Sequence, residues 1–137
     1  MNSVLVSGGR KSQREHAHKV AAFVIKQLMP RMRTLDIEIN LVDIKSDAIG
    51  YCMEGDTNRE FEIEVDRKLG TLAMASTIAH ELVHVKQYAR REIDGYNMAW
   101  KKQPVPEGTP YAELPWEIEA YQMEKDLLQK MVDNDLF

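Results

Sequence analysis

Two imidazoles one helical turn apart, with a carboxylate between them, are what His80-Glu81-Leu82-Val83-His84 supplies when it lies on a helix. Positions i and i+4 share a helical face, so ring nitrogens of His80 and His84 can converge on one cation. Glu81 then stands beside the cation without ligating it. From there a carboxylate can take the proton of a metal-bound water and hand it to a leaving amine. This is the H-E-x-x-H spelling of zinc hydrolases. A chain with four histidines can produce it by accident, so the surroundings must carry the reading.

A tetrahedral catalytic zinc takes three protein ligands and keeps one position open. Cys52 is the only thiol and no histidine follows His84, so the third ligand is expected to be a downstream carboxylate. A second helical segment, opening at Pro115 and running to about Asp133, offers Glu117 and Glu119. Glu117, Ala120, Tyr121 and Glu124 fall on one side of it. With Glu117 at the metal, the small Ala120 faces the histidine helix and lets the two backbones approach closely, so Glu117 is preferred over Glu119.

The element carrying the histidines spans Thr71 to Arg91 without Pro or Gly, with good helix formers and a basic last turn. Leu72, Ala75, Ile78, Ala79, Leu82, Val83 and Val85 give it a broad apolar surface, which predicts a mostly buried core helix. Histidines on such a helix cost free energy unless each ring nitrogen has a partner, and a metal is a better partner than none.

The stretches AHELVHVKQY, from Ala79 to Tyr88, and LPWEIEAYQME, from Leu114 to Glu124, resemble the small HExxH metallopeptidase-like proteins of the gluzincin kind found in phages and bacteria. In those proteins a glutamate-bearing helix follows the zinc helix. The resemblance covers roughly residues 50–130. It implies zinc as cofactor, His80, His84 and Glu117 as its ligands, and Glu81 as general base. The longer metzincin signature is absent, since Gln87 and Arg90 stand where its glycine and last histidine belong.

Upstream, Ser12 to Met29 reads as an amphipathic helix with Ser12 and Glu15 as a capping box, stopped near Pro30. His16 and His18, two apart on it, point to different faces and are expected to be solvated. Residues from Thr34 to Ile44 alternate apolar and polar, the period of a half-buried strand. Ala48 to Met53 and Arg59 to Val65 form a predicted β-hairpin around the turn-rich Glu54 to Asn58, and either could be the sheet edge above the metal. Glu60, Glu62 and Glu64 read as a solvated strand face, and Cys52 as a small buried hydrophobe. Between the two chemistry-bearing helices, Glu92 to Leu114 is too long for a bare connector and is expected to wall the cleft. Within it, Tyr96 or Tyr111 could donate a hydrogen bond to an oxyanion, while Trp100 and Trp116 read as anchors.

At 137 residues, 44% hydrophobic and 29% charged, the chain fits one compact domain, residues 1–137, with 1–11 as a flexible lead. One cysteine excludes an internal disulfide. No leader or membrane span is read, and the expected place of action is the cytoplasm of the producing or infected cell. A formal charge of −4 and pI near 5.6 argue against broad nucleic-acid binding. The expectation is an α+β chain with a minimal zincin-like fold, a small antiparallel or mixed sheet packed on the zinc helix and a C-terminal helix. Its expected function is zinc-dependent hydrolysis of amide bonds in a peptide or protein substrate. The alternative is a zinc-stabilised binding or adaptor protein on the same scaffold, without protease activity.

Overall fold

The computed structural model describes residues 1–137 as an α+β arrangement. The elements run β1 (Ser3–Gly8), α1 (Lys11–Leu28), β2 (Asp36–Val42), β3 (Gly50–Glu54), β4 (Glu60–Asp66) and α2 (Thr71–Ala89). Three two-residue strands follow, β5 (Ile93–Asp94), β6 (Ala99–Trp100) and β7 (Gln103–Pro104). A 3-10 turn (Tyr111–Glu113) then leads into α3 (Pro115–Asp133).

The main sheet has the order β1-β2-β4-β3 and is mixed: β1, β2 and β4 are parallel, and β3 returns antiparallel on β4. The alternating strand pattern decides which face is covered. Val4 and Val6, Ile37, Ile39 and Leu41, Phe61, Ile63 and Val65, and Cys52 turn inward against α1 and α2. The opposite face, with Glu38, Glu62 and Glu64, is left to solvent or half-covered. The predicted hairpin is present, and of its two strands β3 is the free edge while β4 is interior.

α2 lies between this sheet and α3, which explains why it is apolar nearly all round. Its core face carries Met74, Ala75, Ile78, Ala79, Leu82 and Val83; Leu72, expected on that surface, is exposed in the first turn. The helix ends at Ala89 rather than Arg91, because Arg91 adopts a left-handed backbone with φ +57°. No helix is long and apolar enough to cross a membrane.

Three expectations about the upstream chain need correction. Residues 1–11 are not a flexible lead: Ser3–Gly8 pairs with β2 over its whole length, and the Asn2 side chain pins the start. Its amide donates to the Met32 carbonyl at 3.0 Å and its oxygen accepts the Leu35 N–H at 2.9 Å. The α1 cap is at Arg10 rather than Ser12, and the Gln13 side chain, not Glu15, accepts the Arg10 N–H at 2.9 Å. The turn that sets this start needs glycine: Gly8 has φ +80°, and a Cβ there would meet the Leu41 carbonyl oxygen at 2.1 Å. His16 is half-buried rather than solvated, its Nε2 lying 3.0 Å from the Thr71 carbonyl oxygen at the start of α2, whereas His18 is exposed. The segment from Glu92 to Leu114 is more ordered than a loop, since β5, β6 and β7 form a small antiparallel sheet of their own.

Candidate metal centre

The centre forms where α2 and α3 face each other. His80 and His84 project from consecutive turns of α2, their rings 5.0 Å apart between centroids and nearly perpendicular. Opposite them Glu117 stands in the first turn of α3, where the helix N-terminus favours a carboxylate. Nε2 of His80 is 3.0 Å from Glu117 Oε1, and Nε2 of His84 is 3.1 Å from Glu117 Oε2. All three side chains are buried, and Ala120, one turn on, is fully buried, so the small residue does let the helices close up.

One donor atom from each of His80, His84 and Glu117 lies within 4.8 Å of the others, a buried group that could hold a metal ion. The fit can be tested on its spacing. Ligand atoms about 2.0–2.1 Å from a tetrahedral zinc stand about 3.3 Å from one another. The 3.0 and 3.1 Å contacts run to different oxygens of Glu117 and the three donors lie within 4.8 Å of one another, so the side chains need only shift locally to reach that spacing. Two imidazole nitrogens and a carboxylate oxygen are also a donor set that suits zinc.

A second ring of contacts aims the imidazoles. Nδ1 of His80 is 3.1 Å from Glu124 Oε1, and Ser76 Oγ donates to the other oxygen of Glu124 at 2.7 Å. Nδ1 of His84 is 2.7 Å from Gln87 Oε1. With Nδ1 engaged on both rings, Nε2 is the atom presented to the centre. Tyr121 packs edge-on to His80 at 4.7 Å.

Glu119 has a different post. Its Oε1 accepts from Lys86 Nζ at 2.6 Å and from Gln87 Nε2 at 3.2 Å, and Lys86 also pairs with Glu92 at 3.0 Å. Gln87 Nε2 also donates to the Trp116 carbonyl at 2.9 Å. Glu119 therefore braces the far side of His84 and does not join the ligand group. The sequence pattern assigns no role to Gln87, Glu124, Ser76 or Tyr121. Glu124 was legible in principle, two turns from Glu117 on the same face of α3, and Gln87 follows His84 by three residues.

Electrostatics tie these groups together. Burial alone would lower the pKa of His80, but hydrogen bonding to Glu117 and Glu124 outweighs it and raises the value to about 9. Burial would raise Glu117, yet the two histidines facing it bring it down to about 2. The metal-free cluster is thus an ion-paired knot. Glu81 shifts the other way: burial lifts its pKa above the usual carboxylate range, partly offset by His84 and His80. A raised pKa makes a carboxylate a stronger base.

Glu81 lines a cleft of two joined lobes. The larger, about 490 Å³, lies on the His80 side; the smaller, about 170 Å³, lies on the His84 side. Gly50, Glu81 and Tyr111 belong to both. Gly50 brings the edge strand down onto the centre, because a Cβ there would sit 2.7 Å from Thr77 Cγ2 and 3.2 Å from Glu81 Oε2. Of the two tyrosines singled out in the sequence, Tyr111 lines the cleft, while Tyr96 is 97% exposed and lines neither lobe. Trp116 walls the smaller lobe; Trp100 is half-buried in β6 with Lys101 Nζ 5.1 Å from its ring centre. Cys52 is half-buried beside the smaller lobe, where burial pushes its thiol up, and it is no part of the ligand group. Comparison of the chain with protein-family models, with curated proteins and with solved structures finds no match.

Proposed function

We propose that the chain is a zinc-dependent peptidase with a zincin-like site of the gluzincin kind, holding Zn²⁺ through His80, His84 and Glu117. The observation that carries this reading is the convergence of both Nε2 atoms on the two oxygens of Glu117, with the carboxylate of Glu81 lining the same cleft. When bound, zinc supplies Lewis acidity, polarising a carbonyl oxygen and making water easier to deprotonate.

The chain's own residues account for the rest. Glu124 and Gln87 hold the two rings so that Nε2 faces inward. Glu81 receives the proton of the attacking water on a carboxylate oxygen and delivers it to the departing amide nitrogen, which leaves as an amine. Tyr111 lines both lobes, and its hydroxyl is the group that would donate to the oxygen of the carbonyl under attack. β3 is a free sheet edge beside Glu81, so an extended polypeptide can pair with its backbone while its side chains enter the lobes.

The test combines metal analysis with cleavage of an unfolded protein, on the wild-type chain and on Glu81→Gln. The expected result is one zinc per chain in both and cleavage by the wild type alone. Zinc in both without cleavage by either would favour the adaptor reading. Absence of zinc from wild-type protein prepared in its presence would remove the basis of the proposal.

A further inference from the structure

The lobes on either side of Glu81 differ in size, and both carry carboxylates. The larger is walled by Asp47, Thr77, Tyr121 and Glu124; the smaller by Tyr51, Cys52, Tyr88 and Trp116. Neither is lined by any Lys or Arg. The ion pairs of the molecule leave Asp47 without a cationic partner, at the exposed rim of the larger lobe. Glu124 is engaged by His80 and Ser76, but a carboxylate has lone pairs left after two such bonds. Tyr121, packed on His80 and 46% exposed, adds a ring against which a cation is stabilised. A long aliphatic stem ending in a positive charge satisfies all three. The smaller lobe has less than half the volume, and besides Tyr51, Tyr88 and Trp116 it is lined by His84, Glu81 and Glu117, the last already engaged by both histidines.

We infer that the substrates are polypeptides cut beside a Lys or Arg seated in the larger lobe. The inference rests on the peptidase reading above, and the experiment separates the two. Zinc-loaded protein is given a mixed peptide library and the products are sequenced by mass spectrometry. A matched pair of peptides carrying Lys or its uncharged isostere norleucine is then compared by kcat/KM. Cuts are expected to cluster at bonds beside a basic residue, with the Lys peptide favoured by about fivefold, as for a partly exposed ion pair. The ratio is expected to fall toward one in Asp47→Asn and in high salt. Because it is taken within one preparation, it does not depend on how much of the variant is folded. Cleavage without a Lys preference, or a preference that Asp47→Asn leaves whole, overturns the inference and leaves the peptidase reading standing. Failure of the zinc-loaded wild type to cut any peptide overturns both.

Discussion

Glu117 and Glu119 are two residues apart, yet removing them should damage different properties. Glu117→Ala deletes one of the three proposed ligands, whereas loss of an outer contact to a ligand typically weakens metal binding only 10–100-fold. Zinc affinity should therefore fall by more than about 100-fold in this variant. Glu119→Ala leaves all three ligands but strips Lys86 Nζ, whose side chain is only 8% exposed, of its nearer carboxylate. An ammonium left wholly unpaired in the interior costs about 3–5 kcal/mol. Lys86 keeps Glu92 at 3.0 Å and Glu119 is 22% exposed, so a cost below that range, about 2 kcal/mol, is the better guide. In a chain of this size that lowers Tm by about 8 °C. Gln87 also loses one acceptor, so zinc should bind somewhat more weakly, by about 10-fold at most. Competition with a chromophoric chelator measures the affinities, and melting in excess chelator measures the fold. The opposite pattern, with metal lost from Glu119→Ala and kept by Glu117→Ala, would exchange the two assignments and refute the reasoning from geometry.

Gly50→Ala should cost activity more than stability, because its methyl would press on Thr77 and Glu81 and lift the edge strand from the centre; unchanged kcat/KM would show that the close approach is dispensable. Zinc at a thousandfold excess over its Kd adds about 4 kcal/mol to the folded state, so chelation should lower Tm by about 16 °C in a calorimetric scan. An unshifted melt would mean that no ion was bound. In the chelated protein His80 holds its proton up to about pH 9, above its ordinary 6.5. The stabilisation from that ion pair is fully present below about 6.5 and disappears as pH rises through 9. The same proton must leave before Nε2 can ligate, so zinc affinity should climb by about tenfold per pH unit across that interval for each proton displaced. Titration calorimetry in buffers of different ionisation heat measures the protons released, and a pH-independent affinity would contradict the pairing.

How far the sequence disclosed this arrangement depended on whether a signal was periodic. α2 and α3 were legible because helix formers, an opening proline and a four-residue histidine spacing all coincide, and a small Ala120 fixed which glutamate could approach. β2 and the β3–β4 hairpin showed themselves by alternation. β1 did not, since only Val4 and Val6 of its six residues reach the core and its partner strand lies far along the chain. The Arg10 cap was obscured by a better-looking Ser12, and the outcome was decided by the two glycines that turn the chain before it. Least readable was the brace of Lys86, Glu119, Gln87 and Glu92. Patterns place a lysine outside, and only the packing of α3 over α2 reveals that this one is enclosed and neutralised.

α3 docks chiefly on α2 and makes no comparable contact with the main sheet. The C-terminal helix is therefore seated through α2, with Ala120, Leu127 and Met131 in the core, and His80, His84 and Glu117 lie along the same seam. The proposed ligands thus double as a cross-brace: the same Glu117 that would grip an ion ties α3 to α2 through both histidines when none is bound, so its loss would be felt in the fold as well as in the chemistry.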